Sequence, residues 1–316
     1  MLGHPIILCI FTICLWCFGP LLGKLISVRS EFLLLNLSFL FSFLTFSGLL
    51  VLLHGRGFFG HVQRMRLVHA LIGLFGYFIY WICFTQSFRE FTSASGTTVL
   101  NYTWPLFTVL FTELIFRRSR KPTIYRSVEA AGIVLGFLAV VVLSSRGQIA
   151  TLEFGRVRGL IWGICTGASY GLFSAYSSRV PREQQALFLF TSAGASLLAM
   201  IPFALSEIHM VHDIGLRELT IVFALGSIID GAGYVFWTRA NRIAHERKMD
   251  ISSVASVAFA LPLLSVTVIS LFLGEGELLK PYFAVTLLLL VSGSVLCQRA
   301  ARVAALLGRL RPQAFR

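Results

Sequence analysis

Acidic side chains are scarce in this sequence. Fourteen Asp and Glu stand against 27 Lys and Arg in 316 residues, and charge of either sign accounts for only 13%. A soluble domain carries about a quarter of its residues charged, so this composition cannot cover a water-facing surface. Long polar segments are missing too. The longest, around Ser144 to Arg158 and Ser206 to Arg217, hold little more than a dozen residues and leave no room for a soluble domain. The few cysteines form no disulfide framework, because Cys9, Cys14, Cys17, Cys83, Cys165 and Cys297 all fall in hydrophobic runs, where a thiol behaves as a small apolar group. Cys14 and Cys17 have CxxC spacing, but a redox pair needs an accessible, low-pKa thiol, which lipid surroundings oppose.

Catalytic and cofactor motifs are equally sparse. There is no G-x-x-x-x-G-K-[ST] loop to hold ATP, so any pumping has to be secondary. Gly167 to Gly171 reads G-x-S-x-G, yet a nucleophile elbow needs a strand-turn-helix, and an intramembrane serine protease needs histidine at depth. His4, His54, His61, His209, His212 and His245 lie in loops or at ends, and His69 lies near a run boundary. No metal-ligand cluster is spaced along the runs. The expectation is a protein that is not an enzyme and that carries no cofactor and no metal.

What the chain has in abundance is apolar surface: 56% hydrophobic residues and a mean hydropathy of +0.81. One soluble core cannot hide that much, whereas a bilayer accepts it in runs of about 20 residues. Ten such runs are expected: Ile6 to Leu25, Phe32 to Leu53, Leu67 to Phe88, Ala94 to Phe116, Val128 to Leu143, Leu160 to Tyr176, Gln185 to Leu205, Leu219 to Trp237, Ile251 to Leu273 and Tyr282 to Cys297. The first lacks the basic flank and small-residue cleavage site of a signal peptide and is expected to stay in the mature protein.

A net charge of +13 could point to nucleic acid, but the positions of the basic residues favour membrane topology instead. With a cytoplasmic N-terminus, 19 of the 27 Lys and Arg fall on the cytoplasmic side, among them Arg117, Arg118, Arg120 and Lys121. Eight, including Lys24, Arg89 and Arg217, fall on the other. The bias predicts that both termini are cytoplasmic, with membrane lipid rather than nucleic acid as the surface partner.

The strongest internal signal is an echo at an offset of 157 residues: Gly76 and Tyr77 answer to Gly233 and Tyr234, Ser95 to Ser252, Pro105 to Pro262, and Gly136 to Gly293. A duplicated membrane unit explains it. Five runs per copy is an odd number, so the second copy enters the membrane from the opposite side. The expected fold is an all-α polytopic membrane protein of ten helices in two inverted repeats, residues 1–150 and 151–300, followed by a basic cytoplasmic tail over 301–316. The first and sixth runs show the echo poorly, with Trp16 against Tyr170 as a loose match under a shifted offset.

Proline within a span frees a carbonyl and bends the helix. Pro105 and Pro262 sit at equivalent points of the fourth and ninth runs and are candidates for gating kinks. Small-residue ridges at Gly163, Gly167 and Gly171, at Gly132 and Gly136, and at Gly19 and Gly23 are expected contact faces.

Asp230 is the only acid well within a run. An ionised Asp at a helix centre costs about 2.5 to 3.5 kcal/mol, so it should face protein or water, as a substrate-amine or proton-coupling site or as a neutral or Arg-paired carboxylate that only ties helices together. Asp230, Gly233, Tyr234, Trp237 and Asn241 share one helical face, and Gly73, Gly76, Tyr77, Tyr80 and Phe84 form the matching face of the third run. Two aromatic walls would oppose each other, suited to flat or amine-bearing solutes, although ordinary packing would use the same residues. Asn101 and Tyr102 lie in the turn that Pro105 disrupts, where they either meet a ligand or cap freed backbone. A midplane cavity lined by Tyr77, Tyr80, Asn101, Tyr170, Asp230, Tyr234 and Trp237 is the expected solute site.

The run Leu100-Asn101-Tyr102-Thr103-Trp104-Pro105-Leu106-Phe107, matched by Ala260-Leu261-Pro262-Leu263-Leu264 and closed by Leu273-Gly274-Glu275, resembles the drug/metabolite transporter superfamily with EamA-type repeats. Asn-Tyr-x-Trp-Pro is similar to the YddG-like branch of aromatic amino acid exporters. The resemblance implies an inverted-repeat carrier in the bacterial inner membrane that exports amino acids or related metabolites by alternating access. A membrane-embedded enzyme or a non-transporting assembly subunit is the competing class. Monomer and homodimer both remain open.

Overall fold

The computed structural model describes residues 4–28, 30–57, 60, 62–63, 66–90, 94–116, 123–151, 157–274 and 280–309. Among these the chain is helical, with α1 Pro5–Trp16, α2 Gly19–Leu25, α3 Glu31–His54, α4 Leu67–Leu74, α5 Tyr80–Glu90, α6 Ala94–Asn101, α7 Trp104–Phe116 and α8 Thr123–Ser144 in the first half. The second half holds α9 Val157–Ser177, α10 Gln185–Ser206, α11 Leu216–Phe223, α12 Gly233–Glu246, α13 Ile251–Ala258, α14 Leu261–Leu273, α15 Pro281–Gln298 and α16 Ala300–Arg309. Two π-helical segments, Phe75–Ile79 and Ala224–Ala232, join α4 to α5 and α11 to α12 without interrupting the rod.

Eight helical stretches among the described residues are long and apolar enough to cross a membrane: Pro5–Leu25, Glu31–His54, Leu67–Ser87, Thr123–Ser144, Arg182–Ser206, Leu216–Glu246, Ile251–Leu273 and Pro281–Gln298. The other two expected runs are helical as well: the fourth as α6 and α7, parted by two residues just as the ninth is, and the sixth as a continuous helix of 21 residues whose apolar character is diluted by Gly, Ser and Thr. Run ends also move outward. The fifth run starts at Thr123 rather than Val128, and the eighth continues to Glu246, because the helix carries on after the apolar residues stop.

Helix ends follow local chemistry. Pro5 and Pro281 open α1 and α15, where a missing N–H costs nothing. Gly274, at φ 71°, ends α14 in the left-handed region that a side chain would strain. The start of α3 is capped from outside its own helix, with Glu207 Oε2 accepting from Phe32 N at 2.8 Å, Leu33 N at 3.1 Å and Ser30 Oγ at 3.0 Å. A carboxylate there satisfies unpaired amides and meets the positive end of the helix dipole.

Large side chains fill the interior, including Phe39, Phe46, Tyr77, Phe173, Phe188, Met200 and Trp237, each with no exposure. The outward face is apolar as well, with Leu44, Leu114, Ile161, Leu198 and Leu288 all at least half exposed. An apolar exterior around an apolar interior is the pattern of a chain solvated by lipid. Buried hydroxyls such as Thr12, Thr108, Thr166 and Ser192 donate to the carbonyl four residues back, which spares each an unpaired group.

Two of the three small-residue ridges are contacts. A Cβ on Gly163 would lie 2.5 Å from Leu100 Cδ1, one on Gly167 2.0 Å from Thr103 Oγ1, and one on Gly171 2.4 Å from Phe107 Cβ, so α9 runs directly along α6 and α7. Gly132 and Gly293 bring α8 and α15 to backbone contact, each within 2.8 Å of the other's carbonyl once a Cβ is added. Gly19 and Gly23 depart from expectation. Added methyls there would meet only Ile229 Cγ2 at 3.7 Å, and nothing within 4 Å, respectively. Helix α16 begins the basic tail and packs Ala300 and Ala304 against Val128, while the tail beyond residue 309 lies outside the described residues.

Candidate functional site

The site grows from the π-helical segment Ala224–Ala232. Wider turns leave carbonyls without their usual partners, and side chains from three other elements take them. Trp16 Nε1 donates to Ile229 O at 2.9 Å, Ser42 Oγ to Gly226 O at 2.8 Å, and Tyr77 Oη to Asp230 O at 3.3 Å. Gly226 permits the close approach of α3, since a Cβ there would lie 2.4 Å from Ser38 O. That approach sets Ser38 Oγ 3.2 Å from Asp230 Oδ2. Asp230 is 7% exposed, and among the described residues no basic side chain pairs with it. The Arg-paired form of the helix-tying reading thus has no partner among the described residues, while the Ser38 bond fits its neutral form.

The two expected aromatic faces meet. The Tyr77 and Tyr234 rings lie 4.3 Å apart at 34°, and Tyr234 Oη donates to Gly76 O at 3.1 Å. Tyr170 stands 5.7 Å edge-on to Tyr234 and 5.3 Å from half-buried Tyr80. Trp237 is fully buried and donates to Ser174 Oγ at 3.0 Å. One turn and a helix face further along, Asn241 Nδ2 reaches Ser177 Oγ at 3.5 Å, so α12 and α9 are held by polar rungs. Asn101, at the end of α6, is 8% exposed, and its Oδ1 has no hydrogen-bond partner. Its side chain also meets the Tyr80 hydroxyl. The structure thus brings all seven expected site residues into one aromatic cluster. Their rings touch one another here rather than standing apart.

Sequence reasoning missed the centre of that cluster. Trp16 lies within 6.4 Å of Trp104, Tyr170, Tyr234 and Trp237, and Trp104 lies 5.0 Å from Tyr170 and 5.1 Å from Trp237. The loose match of Trp16 with Tyr170 is corrected as well. A Cβ on Gly233 would strike Trp16 Nε1 at 2.3 Å and one on Gly76 would strike Phe173 at 2.3 Å, so the partner of Trp16 is Phe173, at the same offset of 157. The signal was in the sequence without any shift, but one indole against one phenyl, in a region otherwise poor in matches, does not stand out.

Pro105 and Pro262 do more than bend their helices. α6 ends at Asn101 and α7 starts at Trp104; α13 ends at Ala258 and α14 starts at Leu261. Each break is two residues long, again at the same offset, with proline second in the new helix. Ser252 Oγ bonds to Glu129 of α8, so this serine ties α13 to α8; the side chain of its match, Ser95, lies outside the described residues. Ser169, centre of the G-x-S-x-G motif, is a helical residue donating to Thr166 O at 3.0 Å, with no strand or turn to present it.

No curated protein matches the sequence. A solved structure, described only as a crystal structure of a protein, is similar with a TM-score of 0.75 over 97% of this chain and 98% of its own. At 23% identity that likeness shows the fold alone. Residues 4–145, a little under half of the chain, match the EamA-like transporter family, and the apolar helices are those of a multi-pass membrane protein.

Proposed function

We propose that the chain is a ten-helix secondary transporter of two inverted repeats, residues 1–150 and 151–300, that exports amino acids or related small organic metabolites by alternating access. The observation that carries the reading is an exchange of neighbours. The third run, α4–α5, packs on α9 and α10; its counterpart, α11–α12, packs on α1 and α3. The fourth run lies along α9 and the ninth along α1, while α3 pairs with α10 and α8 with α15. Swapping each helix for the one five runs later reproduces these contacts, as a two-fold axis in the membrane plane would.

That axis would pass by the Tyr77–Tyr234 contact, and Tyr77, Tyr80, Asn101, Tyr170, Asp230, Tyr234 and Trp237 are the proposed solute-binding residues. Trp16 and Trp104 join them. The broken helices at Pro105 and Pro262 are the proposed gates, because a two-residue break lets each half-helix turn without stretching a hydrogen-bonded ladder. The chain would reside in the bacterial inner membrane with both termini cytoplasmic.

Flux of a panel of amino acids and cationic drugs into proteoliposomes, with and without a pH gradient, tests this. Saturable, gradient-dependent movement of at least one solute is expected. Protein-independent rates for every solute would overturn the transporter reading.

A further inference from the structure

Resting on that transporter reading, the polar groups of the aromatic cluster identify which end of a solute they can hold. Asp230 is an acceptor, and Ser38 Oγ is its neutral donor at 3.2 Å. Asn101 Oδ1 is a second acceptor, buried and without a partner. Both border the aromatic cluster: Tyr77 Oη donates to Asp230 O at 3.3 Å, and Asn101 closes α6 just before Trp104 opens α7. Trp16, Trp104 and Trp237 pack tilted or edge-on against one another beside the acid, since Trp16 Nε1 donates to Ile229 O at 2.9 Å, and an indole face that parts from its neighbours to admit a solute attracts cations and repels anions.

The matching group for an anion is missing from the described residues. Buried acids occur at Glu218 and Asp230, but no Lys or Arg is buried among the described residues. The ion pairs Arg89–Glu31, Arg158–Glu90 and Arg242–Glu246 lie at helix ends, away from the cluster. A solute carboxylate brought against Asp230 would meet like charge and two acceptors, with nothing cationic to offset its desolvation. A protonated amine would supply the donors that both acceptors need and the charge that Asp230 lacks.

We infer that the solute is an aromatic or apolar amine carrying a single positive charge, its ammonium held by Asp230 and Asn101 and its ring by the tryptophans. This narrows the proposed substrate class from zwitterionic amino acids to the amines related to them by loss of the carboxylate.

The experiment compares tryptamine and phenethylamine with tryptophan, phenylalanine and indole-3-acetate in proteoliposomes of the full chain. The amines should move about tenfold faster than the zwitterions or more, with indole-3-acetate at background. Asp230→Asn should lower amine flux by a similar factor while leaving detergent melting temperature and elution volume unchanged. Zwitterion or acid flux equal to that of the amines would overturn the amine assignment and leave the transporter reading standing. Amine flux unchanged in a folded Asp230→Asn protein would overturn the role of Asp230. Background rates for every solute would overturn the transporter reading and the assignment with it. The wild-type solute series decides the assignment even where the variant does not fold.

Discussion

At the residue scale, glycine decides how close helices come, and the same residue type serves opposite ends of that range. A methyl on Gly132 would lie 2.6 Å from Cys297 Sγ and 2.8 Å from Gly293 O, whereas one on Gly23 meets nothing within 4 Å. Gly132→Leu is therefore expected to destabilise the protein by about 1 to 3 kcal/mol, as overpacking does. Gly23→Ala should leave the thermal midpoint within experimental error or raise it slightly. A melting series in one detergent checks both, and equal effects at the two positions would contradict the packing described. Asp230, Tyr77 and Tyr234 were legible in the sequence because an acid inside an apolar run and a matched pair of tyrosines are each improbable without a cause. Ser38 and Trp16 were not legible. Ser38 is one of several serines in its run, and only the approach of α3 to Gly226 brings it to the acid.

At the element scale, the sequence predicted bends where the structure has breaks. Proline dictates that the i−4 hydrogen bond is lost, but whether a helix then bends or stops depends on what replaces the bond. Here Thr103 N and Ala260 N turn to carbonyls three residues back, Leu100 O and Val257 O, both at 3.1 Å, and a new helix starts at the next residue. The π-helical segments were also invisible to a reading based on a period of 3.6. Asp230, Gly233, Tyr234, Trp237 and Asn241 are nonetheless all buried, because the wide turn ends at Ala232 and four of the five lie in regular helix beyond it. Restoring the missing N–H should stiffen each joint. Pro105→Ala and Pro262→Ala are expected to lower the turnover rate several-fold, with stability held or raised and KM shifted together with kcat. Wild-type turnover in both variants would remove these breaks from the gating mechanism.

At the scale of the whole molecule, composition alone excluded a soluble domain, and the outward apolar face agrees. The count of ten runs came from hydropathy together with the echo. Among the described residues eight of those runs stand as uninterrupted or nearly uninterrupted apolar helices, and the other two are helical as well. What no reading of runs could supply is the set of ties between halves at one end of the bundle. Ser27 Oγ donates to Glu218 Oε1 at 2.8 Å, Arg217 donates to Leu25 O at 3.0 Å, and Glu207 caps α3. These groups sit in connections or first turns, where side-chain partners depend on how distant elements dock. In an alternating-access cycle this end must separate for solute to pass, so a bond across it should stop transport without unfolding anything.

The most direct test places cysteines at Ser27 and Glu218 in a chain whose six native cysteines have been replaced, and joins them with a short, reducible bifunctional thiol reagent. Flux in proteoliposomes should fall to background on cross-linking and return on reduction. Undiminished flux through the cross-linked protein would contradict alternating access between the two halves.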